Sequence, residues 1–243
     1  MTAPSHPVTP RPDRRVDLSE TIRTARERIA GSKRVYLMMA GFYIVLIGVV
    51  GALLAMPIAT MFFPTEPGAE FLDPRADAIL VAFIAAAAAP FQGGFQAAGL
   101  TRVAGAPIRF GMLFERMNLF PRFFGLTLLI GLIGVITATW GFAGTLVSLA
   151  VSMFLSFAGF YLVDRDLQLG EAMTRSSTAV AANLRAVALF FLLSAALGLL
   201  VVVTIGLALP WIIPFTAVGT ATMYAHVEGI GQKDDAAKKA EFA

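Results

Sequence analysis

Not one cysteine occurs in the 243 residues, histidine and tryptophan occur twice each, and charged residues make up only 14% of the chain. Without cysteine there is no disulfide framework, thiol nucleophile or thiolate-ligated metal. His6 and His226 stand at opposite ends of the chain and cannot make an ordinary zinc site between them. No metal and no cofactor is therefore expected. A phosphate loop of the GxxxxGK[ST] type is also missing. The low charge excludes an ordinary soluble domain, in which about 25% of residues are charged.

The scarce charges are also absent from one kind of place. No Asp, Glu, Lys, Arg or His lies in the middle of any long apolar run; Asp77, His226 and Glu228 fall at edges. A proton relay or an ion-coupled pump needs ionisable groups inside the bilayer, so neither is expected. No nucleophile–base pair stands out, and the chain is read as no enzyme.

Apolar residues make up what remains: they are 57% of the chain, and the mean hydropathy is +0.75. About 20 apolar residues cross the roughly 30 Å of a bilayer core as helix. Six such runs are expected, at about 35–63, 78–100, 119–139, 142–163, 186–204 and 209–226. The last two come from one long apolar block that Gly206 and Pro210 divide. The fold class is thus all-α: a polytopic membrane bundle of six transmembrane helices in three hairpins, filling residues 17–230. Residues 1–16, polar and proline-rich, read as a disordered cytoplasmic leader without a cleavable signal. Residues 231–243 read as a polar cytoplasmic tail.

Of the 19 Lys and Arg residues, only Arg75 falls on the side opposite the rest. By the positive-inside rule both termini are cytoplasmic, and the acidic loop with Glu66, Glu70, Asp73 and Asp77 is outside. Trp140 and Trp211 fall at outer ends of spans, and Tyr36, Tyr161 and Tyr224 at inner ends, as two aromatic belts. The basic loops face the membrane surface, where anionic headgroups account for them at about 1 kcal/mol per charge. The expected partner is an anionic bilayer, joined by a membrane-protein partner or a second copy, and no nucleic acid. Lys33, Arg34, Arg109, Arg116, Arg122 and Arg185 are the candidate headgroup contacts.

Each pair of spans follows a short amphipathic segment that ends in a basic anchor, Arg34, Arg122 or Arg185. These segments are expected as interfacial helices: one with Asp17 and Glu20 spaced as a capping box, one over 108–118, and one bearing Leu169, Met173, Ser176 and Val180 at helical spacing.

Two uncharged constellations could carry function. Pro90, Gln92, Gly93, Gly94 and Gln96 interrupt the second run. Proline removes a backbone bond and kinks a helix, so the two amides and bared backbone could form a polar intramembrane site. Equally, the glutamines could simply bond neighbouring helices. Thr145, Ser148, Ser152, Ser156 and Gly159 share one helical face of the fourth run, either as close packing or as a water-lined path. Asp164, Arg165, Asp166 and Glu171 could hold a metal or pair among themselves.

The stretch "PFQGGFQAAGLTRVAGAPIRFGMLFERM", the later "LGEAMTRSSTAVAANLRAVALFFLL" and the closing "PFTAVGTATMYAHVEG" together resemble a broad group of uncharacterised bacterial polytopic membrane proteins. That group includes the YciC-like family and the membrane domain joined to glycerophosphodiester phosphodiesterases. The likeness runs over roughly residues 20–230, and the phosphodiesterase domain is absent. The resemblance implies a bacterial inner-membrane protein without assigned chemistry. The expected role is an envelope or lipid-associated scaffold or assembly factor, the alternative a channel or facilitator for a small neutral or amphiphilic solute.

Overall fold

The computed structural model describes residues 16–62 and 74–230, and among them every regular element is helical. The elements are α1 (Leu18–Ala30), α2 (Lys33–Phe62), α3 (Pro74–Val103), α4 (Phe120–Ala138), α5 (Gly141–Phe154), α6 (Ala158–Arg165), α7 (Leu169–Ala182), α8 (Leu184–Val203) and α9 (Leu209–Glu228). Five stretches are long and apolar enough to cross a membrane: Lys33–Leu53, Val81–Val103, Phe110–Ala138, Gly141–Arg165 and Leu184–Val203. The chain therefore has the make-up of a membrane protein. The loop with Glu66, Glu70 and Asp73, the leader through residue 15 and the tail from 231 lie outside the described residues.

α9 is the exception among the expected runs. Threonines 216, 220 and 222, two prolines and His226 make it less apolar than the other five. Its surroundings explain the difference. Pro214, Val218, Gly219 and Ala221–Ala225 are buried against protein, and a helix facing protein need not be as apolar as one facing lipid. α9 packs more extensively on α1, α2 and α3 than on α8, its sequence neighbour. α3 is the hub, laid against α4 above all and also against α2, α9 and α6.

Burial is lopsided along the bundle. The core is built from Tyr36, Met39, Ala98, Leu113, Phe123, Phe157, Leu162, Val180, Val187 and Tyr224. These residues belong to the ends of helices nearest α1, α7 and the basic segments. Beyond it the helices turn apolar side chains outward: Val45, Val49, Ile136, Leu192, Leu199 and Val203 are exposed, and Ile205 and Leu207 in the α8–α9 connection are 93% and 81% exposed. Trp140 and Trp211 are exposed at this same end. The tyrosines depart from expectation. Tyr36, Tyr161 and Tyr224 are buried in the core and do not form a lipid-facing belt.

The pre-span segments also differ from the expected set of three interfacial helices. α1 forms, with Asp17 as N-cap accepting from the Ser19 N–H at 2.8 Å. Its buried Thr21 and Ala25 face the rest of the bundle, mainly α9, so protein holds it in place. Val16, assigned to the leader, is buried, and its N–H donates to Asn183 Oδ1 at 3.3 Å. The segment 108–118 is not an α-helix. Arg109 is extended, and short 3₁₀ turns occupy Phe110–Leu113 and Met117–Leu119. Met112 and Leu113 reach inward at one apex, and tertiary contact overrides the weak local periodicity. The third segment, α7, is helical, with Ala172, Ser176, Ala179 and Val180 buried.

Candidate functional site

The Pro90–Gln96 stretch lies within α3, which runs as α-helix through Pro90 without interruption. The two glycines answer a steric need. A Cβ at Gly94 would collide with the backbone of Leu113, and one at Gly93 would stand 3.0 Å from the Phe123 ring and 3.3 Å from Arg116. The 110–113 turn thus crosses directly over Gly94, a close backbone approach that glycine permits. Aromatic rings seal the crossing: Phe42 of α2, Phe91 of α3, and Phe110 and Phe114 of the turns meet edge-on at 5.3–6.0 Å.

The two amides have different surroundings. Gln92 Nε2 donates to the Tyr43 hydroxyl at 3.4 Å, and its Oε1 accepts from Thr127 Oγ1 at 3.3 Å. One side chain of α3 therefore ties α2 to α4. Gln96 lies on Gly159 of α6, so close that a Cβ there would overlap the amide. Its Oε1 is buried and has no hydrogen-bond partner among the described residues, and the same holds for Ser156 Oγ, one helical turn before Gly159.

The fourth run holds the discontinuity that the sequence pointed to in the second. α5 ends at Phe154, α6 begins at Ala158, and Leu155–Phe157 make turns between them. The break splits the expected hydroxyl stripe. Thr145, Ser148 and Ser152 lie on α5, Ser156 in the break and Gly159 on α6. Thr145 Oγ1 bonds back to the Gly141 carbonyl at 3.3 Å, the local satisfaction expected of hydroxyls in membrane helices. At the break the freed groups are met from α7. Ser176, fully buried, accepts from the Phe157 N–H at 3.1 Å and donates to the Phe154 carbonyl at 2.7 Å. Nothing local in the sequence announces this role of Ser176, because residues 155–157 contain neither glycine nor proline.

At the end of α6 the polar residues pair among themselves. Tyr224 donates to Asp164 Oδ2 at 2.8 Å and Tyr161 to Glu228 Oε1 at 2.6 Å. Arg165 bridges the two carboxylates, at 3.1 Å from Asp164 and 2.9 Å from Glu228. The rings of Tyr161 and Tyr224 meet edge-on at 5.0 Å. This closed circuit fastens α6 to α9. Asp166 pairs with Arg122, and Glu171 with Arg175 at 2.8 Å. Each of the three carboxylates considered for a metal, Asp164, Asp166 and Glu171, is thus engaged with a protein partner, and among the described residues no three His, Asp or Glu groups converge.

The candidate headgroup residues divide likewise. Arg109 pairs with Glu115 at 3.0 Å and Arg122 with Asp166. Lys33, Arg34, Arg116 and Arg185 are exposed, and none has a carboxylate partner among the described residues. An open apolar cleft of about 380 Å³ lies between α4, α5 and α7, lined by Leu129, Ile133, Val147, Val151, Met173 and Ser177. No known protein family, curated protein or solved structure matches this chain.

Proposed function

We propose that the chain is a membrane-embedded scaffold or assembly factor of the bacterial inner membrane, without catalytic activity, that meets anionic lipid at its basic face. Six spans, with α9 as the sixth, and cytoplasmic termini belong to this proposal. So does kinship with the YciC-like group, on the order of elements alone. One observation carries the reading: most of the partly buried polar side chains between the helices are engaged in holding those helices together. Gln92 bridges α2 and α4, Ser176 fills the break in the fourth run, and Asp164, Arg165 and Glu228 form a closed circuit with two tyrosines. Such side chains hold shape, whereas a solute path needs polar groups left open to its cargo.

Topology tests the frame. Alkaline phosphatase fused after Gly68 is expected to be active and after Gly170 inactive; the reverse pattern overturns the orientation. The solute-facilitator alternative draws support from Gln96 Oε1 at the α3–α6 contact and Ser156 Oγ in the break before α6, neither with a partner among the described residues. Purified protein in proteoliposomes decides between the two. Swelling or uptake of small neutral solutes above empty vesicles sinks the scaffold reading, and none above background sinks the facilitator.

A further inference from the structure

Two arginines converge where α1 ends and α2 begins. Arg102, in the last turn of α3, donates from Nε to the Arg28 carbonyl at 2.9 Å, and its guanidinium lies against Gly31, where a Cβ would collide with it. Arg28 in turn reaches the end of α3: its Nη1 stands 3.5 Å from where a Cβ at Gly105 would be, and Gly105 turns the chain with a φ of +88°. Gly31 thus makes room for the Arg102 guanidinium, while Gly105 provides the turn against which Arg28 lies. Neither has a carboxylate partner among the described residues.

The beginning of α2 adds to the positive potential here. Its first backbone bond runs from the Tyr36 N–H to the Ser32 carbonyl at 3.1 Å. The Lys33, Arg34 and Val35 N–H groups before it are the free donors of a helix start, and the first turn carries no acidic residue. A helix N-terminus with free N–H groups favours an anion, and α2 is 30 residues long. Within that first turn Tyr36 is 0% exposed, its hydroxyl has no hydrogen-bond partner among the described residues, and it lies within electrostatic reach of Arg102. A buried hydroxyl without a partner costs about 1–3 kcal/mol, and a bound acceptor removes that cost.

We propose that Arg28, Arg102, the Tyr36 hydroxyl and the N–H groups opening α2 form a binding site for a phosphate group, supplied by the headgroup of an anionic phospholipid at the cytoplasmic edge. The proposal rests on the lipid-facing scaffold reading and gives it a specific site. Lys33 and Arg34 flank this site as exposed charges, whereas Arg109 and Arg122 are already neutralised by Glu115 and Asp166.

The test is calorimetric titration of full-length protein in neutral detergent with three probes: dihexanoyl phosphatidylglycerol, dihexanoyl phosphatidylcholine and inorganic phosphate. Arg28→Gln is expected to weaken phosphatidylglycerol binding about fivefold, the value of one charge near a headgroup. Tyr36→Phe is expected to weaken it about tenfold, as for a hydrogen bond to a charged group, without lowering the thermal midpoint, because the hydroxyl has no partner among the described residues. Arg175→Gln, which removes a charge paired with Glu171 on α7, is expected to bind as the parent does. Lipid binding without phosphate binding identifies the headgroup as the source of the anion. Equal binding of inorganic phosphate upholds the site and overturns the lipid as its occupant. Unchanged phosphatidylglycerol binding in both Arg28→Gln and Tyr36→Phe overturns the site while leaving the scaffold reading intact. Solute flux in proteoliposomes, by contrast, overturns the scaffold reading and leaves the site standing.

Discussion

Ser176 bonds Phe157 across a gap in another helix: its Oγ accepts the Phe157 N–H at 3.1 Å while donating to the Phe154 carbonyl at 2.7 Å. One hydroxyl therefore replaces part of the backbone ladder that the α5–α6 break removes. Ser176→Ala leaves a buried donor and a buried acceptor unpaired, each costing about 1–3 kcal/mol. A loss of about 2–4 kcal/mol is expected from reversible unfolding in mixed micelles. Ser176→Thr, which keeps the hydroxyl, should recover a large part of it. A loss under about 0.5 kcal/mol for Ser176→Ala would show that the break is satisfied in another way.

Two glycines in apolar helices should respond in opposite senses to the same methyl group. At Gly94 a Cβ meets the Leu113 backbone, which cannot swing aside as a side chain can. Gly94→Ala should cost about 1–3 kcal/mol or more from overpacking. At Gly48, exposed on α2, nothing lies within 4 Å of the added Cβ. Gly48→Ala should be neutral or stabilising by up to about 1 kcal/mol, the helix-propensity difference. Thermal midpoints of the two variants decide it, and equal midpoints would refute the crossing of the 110–113 turn over α3.

The two glutamines of α3 separate in the same manner. Gln92→Met deprives Tyr43 and Thr127 of their partner and should cost about 0.6–2 kcal/mol, the range for interhelical polar bonds in membranes. Gln96→Met removes an amide whose Oε1 has no partner among the described residues, with an unbranched chain of similar size, and should leave stability unchanged or raise it by up to about 1–3 kcal/mol. Unfolding free energies in the reverse order would refute this assignment of roles.

Acid should loosen α1. The Ser19 side chain and then its N–H hold the Asp17 carboxyl below its usual range, and His226 adds to the effect from a distance. A carboxyl held low in the folded state contributes stability above its ordinary pKa of about 3.9 and loses it as pH falls through the lower, folded value. Amide exchange in residues 18–25 should therefore accelerate as pH falls below about 4, beyond the intrinsic acid dependence of exchange. Asp17→Asn, which caps without titrating, should remove that excess. An equal excess in Asp17→Asn would refute the role of this carboxyl.

What the sequence by itself determined was composition-level and local. Runs such as 35–63 and 119–139 become α2 and α4 with ends shifted by only a residue or two, because length and apolarity act on each helix separately. The capping aspartate at 17 was legible as a residue type, whereas Gly93 and Gly94 read as part of a polar interruption and only packing shows them as a close approach. Tertiary structure alone decided which helix breaks. Pro90 stays inside a continuous α3, while Leu155–Phe157, with no glycine or proline, part company because Ser176 on α7 satisfies the freed backbone groups. It also decided that Tyr161 and Tyr224 turn inward to Glu228 and Asp164, and that Arg28 and Arg102 meet. The reason is the same in each case. Hydropathy and turn propensity are sums over neighbours in the chain, whereas these contacts join residues 19 to 74 positions apart, and only packing brings such partners within hydrogen-bonding distance.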